Sequence, residues 1–585
     1  MRWRASGKPA QPSRTKDLDR RARRENIQTL TLTLALLPDL AERTLMTSHF
    51  LAGAWRTAGR SRTMSVMRRR SWVWLAGSAV LLTVVLAPYL VAWRAQPSGF
   101  VFSGFLVNPV DGFSYLAKMR QGWGGAWLFH LPYAAEPGAG SLLFLYYLFL
   151  GHVQRGLGGA PEVVYHSARL GGTAAMLGAA YLFYRTTLPD SGARRWAMAL
   201  TLFGSGLGWI ALGSGRLPVD LWVPEAIPFF SAYANAHFPV AAAAMLIAMT
   251  MLCAPDLRRA VRWGGAGSSG LVLAAVQPFA VVSVAAVGLV WGAWTRLRPR
   301  TDAPADDVQR QQFAAALVFL AASVPWLVYD AWVTSVQPSL AAWSAQNLTP
   351  TPPLADVLLG YGVVLGLALA SVFVVRQQAT SGGRLLVAWL TVGLFLVFAP
   401  FGLQRRMLLG MFFPTAGLAG IVFADLVAGG GWRRLLATLL FVLCLPSNLV
   451  VLTATLSGAL TQEPELVMGS AERAAYAWIA DEIPQRSLIL AGEVTGNRLP
   501  AYADVRVRYG HPFETPRAAD ELAWVESIYR SSAPAEDVLE EMHGRAIDYV
   551  YVGPRERTMG ALTWLTALLP VYQNEDVTIY GLPAP

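Results

Sequence analysis

From residue 71 to about residue 456 the chain is a succession of apolar runs of about twenty residues, separated by short connectors that hold most of the polar side chains. At 1.5 Å per residue such a run matches the hydrocarbon thickness of a bilayer, so the pattern predicts membrane-spanning helices. The first is SWVWLAGSAVLLTVVLAPYLVAW, over 71–93. Others are expected at 163–184, 196–212, from His237 to about residue 257, and at 312–333, 355–375, 385–402, 407–428 and 434–456. Residues 269–294 read as two short helices meeting at Gln277-Pro278, which brings the total to about eleven. SLLFLYYLFLGHV, about thirteen residues, is too short to cross and reads as a re-entrant or interfacial segment. Beyond about Glu463 the periods shorten: ERAAYAWIADEI has helical spacing, SLILAG and AIDYVYVG are strand candidates, and VYQNEDVTIYGL reads as a hairpin around Asn574-Glu575. The expected fold class is an α-helical polytopic membrane protein with a small soluble α/β C-terminal domain. Its parts are 1–66, an Arg-rich polar arm that is disordered or a misassigned start before Met67; 67–458, the membrane module; and 459–585, the appended domain.

Composition agrees with a membrane chain, at 54% hydrophobic and 15% charged residues with mean hydropathy +0.39. Charge adds orientation. The net +11 is uneven, because the stretch from Thr461 onward carries ten Arg against nineteen acids. Arg68, Arg69 and Arg70 precede the first span and place the N-terminus in the cytoplasm by the positive-inside rule. An odd number of spans then puts the acidic C-terminal domain outside a plasma membrane crossed many times. The arginines flank apolar spans and form no aromatic-interleaved patch, which argues against nucleic acid as a partner. Cys253 and Cys444 lie in apolar runs and read as buried thiols.

Three places carry candidate chemistry. In NPVDGFSYLAKMRQGWGG, over 108–125, a helix would put Asp111, Tyr115 and Lys118 on one face, just outside the first span. Lys118 is one of only three lysines in the chain, with Lys8 and Lys16. Such a face offers a base, a hydroxyl and a phosphate partner. The second external loop, PVDLWVPEAIPFFSAYANAHFPV, holds Asp220, Glu225 and His237; with Asp111 these are candidate ligands for a divalent cation such as Mg or Mn, although their spacing matches no fixed metal motif. In FAPFGLQRRMLLGMFFP, Arg405 and Arg406 fall on the outer face against the positive-inside rule, and a guanidinium binds phosphate oxygens bidentately.

An acid in the first external loop, an acidic loop two spans later, an external Arg late in the bundle and an external terminal domain together resemble the C-superfamily membrane glycosyltransferases (GT-C), in particular bacterial relatives of the dolichyl-phosphate-mannose protein mannosyltransferases. The resemblance covers residues 68–456 by architecture and rests by motif on DGFSYLAKM, the Asp220 region and QRRMLLG. It implies a transferase that moves a sugar from a polyprenyl-phosphate donor to a glycan, lipid or protein acceptor outside the cytoplasm. Asp111 would be the general base, Arg405, Arg406 and Lys118 the donor-phosphate ligands, and Asp220 the second acidic position. Glu225 follows Asp220 only after five residues, unlike the close acidic pair of oligosaccharyltransferases, which leaves the metal open. A lipid-linked sugar flippase, suggested by the helix pair at Gln277-Pro278, and a surface-glycan polymerase or ligase using a diphosphate-linked donor are the alternatives.

Overall fold

The computed structural model describes residues 63–297, 306–378 and 380–583. The arm expected over 1–66 therefore lies, apart from its end, outside the described residues. Among these, seven helices are long and apolar enough to cross a membrane, or eight if one bent pair is a single span. They run from Trp72–Arg94 to Gly431–Leu460. Pro161–Thr187, His237–Cys253 and Arg259–Val276 pack into the same bundle but are shorter or less apolar. The chain is a multi-pass membrane protein.

Two expected spans are differently built. The 196–212 run is broken: Ser191–Phe203 and Gly208–Ser214 meet at 41°. The break faces a second one, at Gly362 in Leu354–Gln378, where φ is 43° and ψ −128°. Leu207 N donates to Leu359 O at 2.8 Å, and a Cβ on Gly206 would lie 2.2 Å from Gly360 O, so only glycine admits this approach. One backbone hydrogen bond thus ties the two breaks together, while Gly206 N and Gly208 N go to Asp220 Oδ2 and Ser205 N to Cys444 O. Conversely, Gln277-Pro278 joins two full helices, Arg259–Val276 and Pro278–Leu297, not two short ones, and the second is long enough to cross. The half-helix geometry that motivated the flippase alternative is absent there.

The C-terminal domain follows the expected elements. Strands β3 (Leu488–Leu490), β4 (Arg506–Val507), β5 (Tyr549–Val552), β6 (Leu569–Gln573) and β7 (Thr578–Gly581) form a sheet in the order β4-β3-β5-β7-β6. β3 is parallel to β4 and β5, while β5, β7 and β6 are antiparallel neighbours. The hairpin turns at Asn574, whose Oδ1 accepts from Asp576 N and Val577 N.

This domain is not hung on a linker. β1 (Phe100–Phe102), in the first long connection of the membrane module, pairs antiparallel with β2 (Val467–Gly469), with Phe100 opposite Gly469. One apolar cluster then joins Phe105, Phe113, Leu116 and Met119 to Met468, Tyr476, Ile479 and Leu499. The helix Pro109–Trp123 is therefore buried between bundle and domain.

Candidate active site

The helix Pro109–Trp123 is set by its first residues. Asn108 adopts a left-handed conformation at φ 45°, and Pro109, with no N–H to lose, takes the first helical position. Asp111 falls in the first turn, where the helix dipole favours a carboxylate. As expected from its spacing, one face of this helix presents Asp111, Tyr115 and Lys118, and Ser114 lies beside Lys118.

What meets that face is a loop of the C-terminal domain, 510–515. His511 Nε2 lies 3.1 Å from Asp111 Oδ1. Glu514 receives Lys118 Nζ at 2.8 and 2.9 Å and Ser114 Oγ at 2.6 Å. Lys118 is fully buried and also rests against the Phe144 ring at 4.4 Å. Its expected role on a donor phosphate is thereby revised, since its charge is already neutralised by a buried carboxylate. Burial alone would raise the Glu514 carboxyl, but Lys118, His511 and the Ser114 hydrogen bond together outweigh it and hold it below the usual range.

Asp111 remains 41% exposed in its side chain. Burial acts to raise its carboxyl, yet the hydrogen bond from His511 and the positive charges of Arg406 and Lys118 outweigh it and keep the group below the ordinary 3.8. Tyr115 lies parallel to Tyr147, with ring centroids 4.5 Å apart, and meets His237 edge-on at 5.4 Å. His237, which opens its helix as expected, has Nδ1 2.6 Å from the Tyr147 hydroxyl. These rings form one wall of the site. Burial and the nearby Asp111 hold the Tyr115 hydroxyl far above its usual range, so it stays protonated.

Arg405 and Arg406 lie on a short 3₁₀ turn, Gln404–Leu408. Arg405 stands over Trp222 at 5.0 Å and Arg406 over Phe279 at 5.2 Å. Neither has an acidic partner among the described residues, and the Nε of each is buried without a hydrogen-bond partner. Arg406 is the one that acts electrostatically on Asp111, Tyr115 and His237.

The second acidic loop does not join this set. Asp220, fully buried, accepts Gly206 N and Gly208 N at 3.1 Å each and holds the broken span; burial pushes its carboxyl up to about 6. Glu225 packs among Met176, Gly410 and Phe413. Among the described residues no three His, Cys, Asp or Glu side chains are grouped to hold a metal ion, so Asp111, Asp220, Glu225 and His237 are not one ligand set.

No family model matches the chain, and no curated protein matches it in sequence. Solved structures do. The apo oligosaccharyltransferase of Archaeoglobus fulgidus is similar with a TM-score of 0.54 at 13% identity, over 82% of this chain and 69% of that one. The same enzyme tethered with an acceptor peptide containing the NVT sequon gives 0.50 at 13% identity, over 86% and 74%. The chain has the GT-C fold. ArnT from Cupriavidus metallidurans is also similar, at 14% identity over 88% of this chain and all of that one, with a TM-score of 0.43.

On this GT-C bundle the expected residues divide. Asp111, Tyr115, Lys118, His237 and Arg406 converge; Arg405 turns to Trp222; Asp220 and Glu225 serve elsewhere. His511 and Glu514 were not foreseen. The only trace they leave is local, a His-Pro followed by a lone acid in YGHPFETP, and nothing there points 400 residues back to Asp111.

Proposed function

We propose that this chain is a membrane glycosyltransferase that moves a sugar from a polyprenyl-phosphate donor to a hydroxyl or amine acceptor, at the extracytoplasmic end of the bundle where the C-terminal domain docks. The observation that carries this reading is the pairing of a half-exposed ionised carboxylate, Asp111, with a guanidinium, Arg406, that has no acidic partner among the described residues. The GT-C fold supports the reaction class, and one structural neighbour, the Archaeoglobus oligosaccharyltransferase, holds an acceptor peptide.

The acceptor atom attacks the anomeric carbon from the face opposite the phosphate and passes its proton to Asp111. The carbon–oxygen bond to phosphate breaks and the phosphate leaves with the electron pair, inverting the anomeric centre. A depressed carboxyl is a weak base, so the proton moves only as the new bond forms. Arg406 faces the charge that grows on the departing phosphate, and Arg405 extends the clamp on its Trp222 side. The wall of Tyr115, Tyr147 and His237 keeps water from the reacting carbon.

The test is transfer from defined polyprenyl-phosphate sugars in membranes bearing Asp111→Asn or Arg406→Ala. Loss of about 10²–10⁴-fold for the first and about 10²–10³-fold for the second is expected. Retained activity in Asp111→Asn removes the base assignment.

A further inference from the structure

His511 makes no bond to a reacting atom in this scheme, yet it is among the most constrained side chains of the site. Its side chain is 2% exposed, and its ring lies beside Tyr133 at 5.9 Å. Nδ1 accepts the N–H of Phe513 at 3.1 Å and that of Glu514 at 3.2 Å. A ring nitrogen that receives two donors carries no proton of its own, so the ring proton sits on Nε2. Nε2–H therefore donates to Asp111 Oδ1. The loop behind the ring is braced as well. Thr515 Oγ1 accepts Gly510 N and His511 N at 3.2 Å each, the Gln346 side-chain amide donates to the carbonyls of Phe513 and Thr515, and Glu514 grips Ser114 and Lys118. The imidazole has one tautomer and one orientation.

We infer that His511 is a positioning residue for the base: the C-terminal domain reaches back across the chain to fix one oxygen of Asp111 and leave the other turned to the acceptor. This rests on Asp111 acting as the base. The charged and titratable groups that face Asp111 are His511 and Glu514 from the loop, Lys118 and Tyr115 from its own helix, Tyr133 and Tyr147 from the segments that follow it, His237 from the start of its helix, and Arg406. Of these only His511 donates a hydrogen bond to it. Removing His511 thus takes away the one directional contact and leaves the long-range charges in place. Asp111 then rotates freely and titrates at higher pH; it stays ionised near neutrality, so the loss of transfer comes from its lost aim.

Two measurements on the full-length protein in lipid nanodiscs test this: titration of the Asp111 carboxyl by infrared difference against Asp111→Asn, and transfer from a panel of polyprenyl-phosphate sugars. His511→Ala is expected to raise the titration by about one pH unit and to lower kcat roughly 10- to 100-fold with KM little changed. His511→Gln, whose amide N–H reaches the place of Nε2, should restore much of both, and His511→Asn, which reaches only the place of Nδ1, should not. An unchanged titration and kcat in His511→Ala overturns the inference. If the alanine variant does not fold, the comparison passes to Gln and Asn, and equal behaviour of those two overturns it. Asp111→Asn that still transfers sugar would sink the base reading, whereas the infrared titration reads the His511–Asp111 pairing independently of transfer.

Discussion

At the scale of single residues, the buried pair Lys118–Glu514 makes a strong prediction because its two charges depend on one another. Lys118 is wholly buried and Glu514 nearly so, and their ion pair is 2.8 Å long. Lys118→Met leaves a carboxylate uncompensated in a low-dielectric site, which costs about 3–5 kcal/mol. The double change Lys118→Met with Glu514→Leu should recover most of that loss in thermal unfolding, since an apolar pair of similar volume needs no compensation. The pH dependence follows from the lowered Glu514 carboxyl. Its contribution is complete above the ordinary value of 4.5 and disappears as pH falls through the lower folded value, so the melting temperature of the wild type should drop in acid more steeply than that of the double variant. Arg405 and Arg406 separate at this scale too. Arg406→Ala should raise the donor KM and cut kcat, while Arg405→Ala, which leaves the guanidinium acting on Asp111 in place, should cost at least tenfold less.

At the scale of elements, the helix carrying Asp111 is placed by glycine. Pro109–Trp123 and Leu145–Leu157 touch backbone to backbone: a Cβ on Gly122 would lie 2.0 Å from Leu148 O, and one on Gly151 would lie 2.0 Å from Met119 O. In a free helix Gly→Ala gains about 1 kcal/mol. Here Gly122→Ala and Gly151→Ala should instead each destabilise by about 2 kcal/mol or more, as chemical unfolding in detergent would show, and should lower activity by moving Asp111. The face shared by Asp111, Tyr115 and Lys118 was legible in the sequence, because helical spacing needs no partner to be read. The broken span at Gly204–Gly208 was not, because a run of apolar residues looks the same whether or not its backbone bends. Nor does the sequence show that Asp220 holds the bend, since a carboxylate holding two amides and one awaiting a ligand are the same letter. His511 and Glu514 could not be read at all, as contacts across 400 residues leave no period.

At the scale of the whole molecule, bundle and C-terminal domain share one apolar core and a strand pair, so they should behave as a single cooperative unit. Proteolytic nicking in the exposed connection at 461–465 is expected to give two fragments that stay together through size-exclusion chromatography in mild detergent; fragments that part would contradict the shared core. Chains ending near residue 460 should aggregate, because Phe113, Leu116 and Met119 lose their cover. The strand pair between Phe100–Phe102 and Val467–Gly469 also sets a schedule. Its two halves leave the ribosome far apart in time. At about 5–20 residues per second the intervening chain takes roughly 20–70 s to make. Throughout that interval the first strand has an open edge and Asp111 has no His511. The newborn protein therefore passes through a stage in which Asp111 is present but unaimed, and the site proposed above is complete only when the last fifth of the chain arrives.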